Sequence, residues 1–220
     1  GRESIARGCE QRREIALTFD DGPNQPYTGR VLDILAARGA KATFFVTGAQ
    51  VAASPGMLAD IEQRGMAVGA HSYDHADDLE RIDDGAFAAD LARTDAAIEA
   101  AGVTTRMFRA PFGHWSDRML ATLEREGFAA IGWSIDSRDW SAETTADEIE
   151  TNVIDAAHPG AIVLLHDGGL SGGDPDRSRT IEALPRIIDT LQDDGYALVT
   201  VPEITGIAQA GPPATEPRCS

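Results

Sequence analysis

The stretch "ALTFDDGPN", residues 16–24, is an apolar run that ends in two adjacent acids, Asp20 and Asp21, followed at once by Gly22-Pro23. Neighbouring carboxylates repel unless a cation or a shared metal ion compensates them. Further along, "HSYDH" (71–75) places His71 and His75 at an HxxxH spacing, which brings two imidazoles to one side if the segment takes a helical turn. Two histidines and one carboxylate from another segment make a common open metal site, for which zinc is the default and cobalt or nickel are alternatives. In extended backbone, successive side chains point to opposite faces. Asp20 and Asp21 are therefore expected to divide the work unless the Gly22-Pro23 turn bends them together: one ligates the metal, and the other faces the water and removes its proton. Spacing does not choose between them. Turn formation is the plain alternative, since Asp before Gly-Pro is ordinary turn chemistry.

Other polar residues close apolar runs in the same way. Arg109, in "RAPFGHW" (109–115), can pair with the catalytic carboxylate, hold it in place and keep it ionised. Phe112 offers its backbone N–H or its ring to a ligand. His166 closes "AIVLLH" (161–166) and, beside an activated water, is the natural general acid because its pKa lies near neutrality. A carboxylate partner would raise that pKa and fix the tautomer. Asp139 of "DSRDW" (136–140) is the candidate, with Asp136 and Asp167 as competitors. Trp115, Trp133 and Trp140 suit a sugar face, although core packing is the commoner fate of tryptophan. His114 reads equally well as a substrate contact or as surface, and His158 reads as structural.

The elements that must position these groups alternate. Strands are expected at 14–19, 42–46, 66–70, 107–110, 129–133, 161–166 and 196–201, and helices at 27–38, 55–64, 84–101, 116–126, 144–157 and 178–193. Gly39, Gly65, Gly102, Gly127 and Gly195 follow five of the helices, as left-handed C-terminal caps do. Alternation of this kind means βα units and a mostly parallel sheet, and about seven strands in an α/β chain suggest closure into a barrel more than an open doubly wound sheet. Functional groups of such folds collect at the carboxyl ends of the strands, where the residues above fall. "GGLSGGDPDRS" (168–178) reads as a flexible loop and "QAGPPATEPRCS" (209–220) as an extended tail. One domain, 1–220 with a core at about 14–201, is expected, as a monomer.

With 36 acidic against 19 basic residues the formal net charge is -17, which argues against nucleic acid or an anionic membrane surface as partner. No apolar stretch approaches the ~18 residues of a membrane span. Cys9 and Cys219, near opposite ends, are expected to form a disulfide, which implies an oxidising compartment. No signal peptide is legible, and "GRESIARGCEQRRE" is compatible with the start of a processed chain.

The chain resembles the polysaccharide deacetylases of the NodB-homology type, the fourth family of carbohydrate esterases. The family's motifs stand in order as "TFDDG", "HSYDH", "RAPFG", "DSRDW" and "LLHD", and the resemblance covers about residues 14–201. It implies a distorted (β/α) barrel and a mononuclear Zn2+ or Co2+ site. It also implies that Asp20 is the base and that Asp21 joins His71 and His75 on the metal. By the same resemblance Arg109 orients Asp20, Asp139 tunes His166 as the acid, and Leu164 lines the pocket for the acetyl methyl, with Phe112 and Trp140 against the substrate. Two positions depart from the family pattern: Ala70 stands where Asn is common, and Arg-Ala-Pro replaces Arg-Pro-Pro. The expected activity is N-deacetylation of N-acetylglucosamine units in chitin-like oligomers or peptidoglycan, on the outside of the cell or in its envelope. O-deacetylation of acetyl-xylan by the same groups is the alternative within enzymes, and an inactive carbohydrate-binding homologue is the alternative outside them.

Overall fold

Strand β1, Glu14–Asp20 (EIALTFD), is buried from its second residue to its last, as a parallel strand covered on both faces must be. The computed structural model describes residues 3–169, 176–211 and 219, so parts of the loop expected at 168–178 and of the tail at 209–220 lie outside the described residues. β1 pairs in parallel with β2 (Ala42–Val46) on one side and with β7 (Ala161–His166) on the other, in a register that sets Asp20 beside Phe45 and His166. Strands β3 (Ala67–Ala70), β4 (Met107–Phe108) and β5 (Ala129–Ala130) continue beyond β2, and β6 (Ile135–Asp136) follows β7. The order is β5-β4-β3-β2-β1-β7-β6, seven parallel strands, with the two-residue β8 (Ala197–Leu198) paired to the start of β1. The expected distorted (β/α) barrel is therefore the fold, open at a seam between β5 and β6.

The amino-terminal segment occupies the base of that seam. Ile5 N–H donates to Ala130 O at 2.8 Å, Gly132 N–H donates to Ile5 O at 2.8 Å, and Gly8 N–H donates to Gly160 O at 2.7 Å. Ile5 and Arg7 thus bridge to Ile131 and Ala161, supplying bonds that neither flanking strand finds in the other. Cys9, two residues on, is joined to Cys219 by the expected disulfide.

Helices α1 (Tyr27–Ala37), α2 (Gly48–Ala53), α3 (Gly56–Gln63), α4 (Asp84–Ala100), α5 (Asp117–Glu126), α6 (Ala146–Ile154), α7 (Ser178–Asp193) and α8 (Val201–Thr205) complete the chain. The five glycines expected as helix ends all take positive φ, between 60° and 87°. Two helices and one strand were not expected. α2 and α8 have six and five residues, too few to display a 3.6-residue period, and β6 has two. The run expected as a strand at 196–201 shortens to β8, because Thr200 caps α8 through a reciprocal bond set with Glu203.

Two apolar clusters follow the strand period. Ile15, Leu17 and Phe19 pack outward against the helices, whereas Ala16 joins Phe45, Met107, Ile131, Ile162 and Ile204 inside the barrel. Thr18 and Asp20 share the inward face of Ala16, so the last residue of β1 points into the barrel mouth. No helix among the described residues is long and apolar enough to cross a membrane.

Candidate metal centre and catalytic pocket

The alternation that turns Asp20 inward would send Asp21 outward, but Asp21 has φ 77°. This left-handed residue breaks the strand geometry and swings the second carboxylate back toward the mouth. Asp20 Oδ2 lies 3.7 Å from His71 Nε2 and Asp21 Oδ1 lies 3.3 Å from it. The expectation of opposite-facing neighbours is corrected at this point: both acids face one cavity. The turn is held by Asp20 O, which accepts from Asp167 N–H at 3.2 Å and Gly168 N–H at 3.3 Å, tying the end of β1 to the end of β7.

His71 and His75 sit on an irregular loop after β3, not on a helical turn. Ser72 and His75 adopt φ 61° and 55°, conformations costly for residues with a Cβ, and a set of bonds holds them there. His75 N–H donates to Ser72 Oγ at 3.0 Å, and Gly48 and Ala49 N–H, opening α2, donate to Ser72 O and Tyr73 O at 3.0 Å each. From α4, the Asp90 carboxylate accepts Tyr73 N–H through both oxygens at 3.0 Å. The result points both imidazoles at Asp21, whose Oδ1 is 3.3 Å from each Nε2.

Asp21, His71 and His75 bring their ligand atoms within 4.8 Å of one another. Asp21 Oδ1 is buried with no properly aligned hydrogen-bond donor, the condition of an atom whose partner is a cation. His71 Nδ1 donates to Arg109 O at 2.8 Å, which leaves Nε2 free to face the centre. Burial raises the Asp21 pKa, but contact with His71 and the charges of His166, His71 and His75 outweigh it and hold the carboxyl well below its usual range. Burial opposes the charged form of His71, yet Asp20 and Asp21 drive its pKa up. His75 is pushed down to about 4 by burial and by the charge of His71. Two imidazoles competing for charge beside one anionic carboxylate fit a divalent metal ion.

Arg109 lies inside the barrel below the acids. It donates from Nη1 to Asp20 Oδ1 and Thr18 Oγ1, both at 2.7 Å, from Nη2 to Gly132 O at 2.8 Å, and from Nε to Ile131 O at 3.3 Å. Its guanidinium also covers the Phe45 ring at 4.0 Å.

On the other side of the mouth, His166 Nδ1 meets Asp139 Oδ1 at 2.6 Å, and His166 N–H donates to Asp139 Oδ2 at 2.8 Å. Burial lowers the His166 pKa, but the charge and hydrogen bond of Asp139 override it and raise the imidazole to about 9. Of the three acids weighed, Asp139 is thus the partner of His166. Asp136 turns to the rim, and Asp167 is buried against Thr28 Oγ1 at 2.6 Å, its carboxyl pushed up to about 7 mainly by burial.

Asp20, Asp21, His71, His75, Asp136 and His166 line one cavity of about 380 Å³, together with Phe112, His114, Trp133, Trp140, Leu164 and Arg177. Phe112 has φ 58° and is 45% exposed, its ring 4.7 Å from that of His75 and 5.6 Å from that of His114. Trp140 is 52% exposed, whereas Trp115 packs edge-on to Phe108 against the core. His158 Nδ1 donates to Pro159 O and does not line the cavity.

Three residues near the site were not expected. Thr180 Oγ1, on α7, donates to Asp139 Oδ2 at 2.8 Å, and Arg177 Nη1 donates to Asp139 O at 3.4 Å. Asp90 braces the histidine loop from α4. All three reach the site from helices or loops, where a hydroxyl or a charge looks like ordinary surface chemistry.

Fold and donor set together define a distorted α/β barrel with an open two-histidine, one-carboxylate cluster at the carboxyl ends of its strands. Residues 7–131 match the family model described as polysaccharide deacetylase, and the chain belongs to that family. It is 38% identical over 200 residues to a chitooligosaccharide deacetylase of Bradyrhizobium sp., an alignment covering 87% of this chain and 90% of that one. It is 36% identical to a peptidoglycan-N-acetylglucosamine deacetylase of Bacillus cereus, over 86% of this chain and 87% of that one. The crystal structure of the Bc1960 peptidoglycan N-acetylglucosamine deacetylase superposes with a TM-score of 0.86 at 30% identity, covering 94% of this chain and 95% of the other.

Proposed function

We propose that this chain is a metal-dependent hydrolase that removes acetyl groups from N-acetylglucosamine units of chitooligosaccharides or peptidoglycan. The observation that carries the reading is Asp21 Oδ1, buried without an aligned donor and 3.3 Å from two imidazole nitrogens, in the same cavity as Asp20, which pairs with Arg109, and His166, which pairs with Asp139. Asp21, His71 and His75 would hold the metal. A bound divalent ion supplies Lewis acidity toward the amide carbonyl and favours ionisation of water.

The chain's own groups do the rest. Asp20 takes a proton from the attacking water, aimed and charge-compensated by Arg109. The carbonyl oxygen gains negative charge during attack, and the Phe112 backbone N–H is the donor for it. An amine leaves poorly without a proton, so His166, kept protonated by Asp139, donates one to the departing nitrogen and acetate is released. Leu164 faces the acetyl methyl, and Trp140 offers an aromatic surface to the sugar. The Cys9–Cys219 disulfide supports a secreted or envelope-bound location.

The test is acetate release by the metal-loaded chain from N-acetylglucosamine oligomers, peptidoglycan and acetyl-xylan, with metal content measured in parallel. Acetate from either of the first two is expected. Acetate from acetyl-xylan alone would overturn the N-deacetylase reading, and none from any substrate despite bound metal would mark a binding protein.

A further inference from the structure

Asp136 ends β6 at the rim of the cavity and takes no part in the chemistry above. Its exposed carboxylate is nevertheless held firmly. Arg138 N–H donates to Oδ1 at 2.8 Å across a turn in which Arg138 has φ 59°, and Trp140 Nε1–H donates to Oδ1 and Oδ2 at 3.2 and 3.3 Å. Three donor contacts fix a side chain that would otherwise sample several rotamers, and they fix the half-exposed indole with it. Asp136 forms no ion pair among the described residues: the Arg138 guanidinium lies 5.8 Å from the Trp140 ring centroid instead.

The mouth of the cavity therefore presents a half-exposed aromatic ring with, at its edge, a carboxylate that forms no ion pair among the described residues, the Arg138 guanidinium lying over the ring. A carboxylate offers about four acceptor positions, so capacity remains for a ligand donor. An aromatic face suits a sugar ring, and an unpaired carboxylate suits a protonated amine on that ring. We propose that Asp136 and Trp140 form a subsite for a glucosamine unit next to the acetylated one, so that the enzyme favours glycans already carrying free amines. This rests on the deacetylase reading, whose product supplies such amines. The net charge of -17 adds a long-range attraction for polycationic chains. The ammonium of a flexible peptide side chain would satisfy the carboxylate but leave the aromatic face without a ring.

The experiment compares initial rates on two four-unit oligomers at about pH 6, one fully N-acetylated and one with a single acetyl group among glucosamines, where the amines are protonated. The wild type is expected to show a KM about fivefold lower for the second, the scale of one exposed charge pair, and Asp136→Asn erases the difference. Asparagine still accepts the Trp140 N–H, so this variant isolates the charge. Asp193→Asn, at the opposite end of the 16-residue α7 from Arg177, is the control for net charge and keeps the preference. Calorimetry with the four-unit glucosamine oligomer gives a readout free of turnover, with binding about fivefold weaker in Asp136→Asn. Absence of wild-type preference, its survival in Asp136→Asn, its loss in Asp193→Asn, or stronger selection of amine-bearing muropeptides would each overturn the proposal. No acetate from either oligomer, with glucosamine binding still dependent on Asp136, would sink the deacetylase reading and leave the subsite standing.

Discussion

Arg109 Nη1 donates to Asp20 Oδ1 at 2.7 Å, and the two side chains are 0% and 3% exposed. A charge pair so deep in a barrel is costly to leave half-made. Arg109→Ala strands the Asp20 carboxylate and is expected to destabilise the chain by about 3–5 kcal/mol in urea unfolding. Arg109→Lys keeps the charge but loses the planar fork that serves four acceptors, and should cost about 1–3 kcal/mol. Equal stability of Arg109→Ala and wild type would show that the pair is not structural.

The two acids should separate in a metal assay. Asp21→Ala removes the only carboxylate in the three-residue cluster, and bound metal should fall to a small fraction of wild type in elemental analysis. Asp20→Asn should retain metal and lose acetate release by about 10²-fold or more, the scale of general base catalysis. Near-normal turnover in Asp20→Asn would move the role of base elsewhere.

The pH profile should report the His166–Asp139 pair. In the proposed mechanism His166 acts in its protonated form, and its pKa is raised to about 9 because the charge of Asp139 overrides burial. Activity should therefore persist above neutrality and fall as pH rises through about 9. Asp139→Asn removes the largest raising influence while burial remains, so the alkaline limb should move to lower pH. The same shift bears on stability: the contribution is full below about 6.5, the unfolded value, and is lost as pH rises through about 9. An unmoved alkaline limb in Asp139→Asn would assign that limb to another group.

Asp90 accepts Tyr73 N–H and is not one of the three clustered candidate ligands. Asp90→Ala frees the loop to relax from the left-handed conformations of Ser72 and His75, and metal affinity in a chelator competition should fall about tenfold. Unchanged affinity would mean that Ser72 and α2 hold the loop by themselves.

Much of the site was legible because its residues end apolar runs. Asp20, His71 and His166 each follow five or more residues that read as a buried strand, Arg109 follows the two apolar residues Met107 and Phe108, and parallel barrels gather such positions on one rim. The family motifs assigned roles to them. Asp90, Thr180 and Arg177 were not legible, because helix or loop residues that bond to the site look the same in sequence as those that face solvent. The partner of His166 lay between: residue types left Asp136 and Asp167 as competitors to Asp139, the family motifs favoured Asp139, and the fold brings Asp139 to His166.

The sequence by itself determined the alternating strands and helices, the rim on which the polar residues meet and the chemistry they can perform, because burial periodicity and residue type are local properties. The tertiary structure decided how those residues face one another. Asp21 looks into the cavity because its φ is 77°, His75 because loop, α2 and α4 bonds hold it at φ 55°, and Asp139 reaches His166 because α7 supplies Thr180 behind it. Such orientations arise from backbone strain offset by contacts between segments far apart in the chain, which no local pattern encodes.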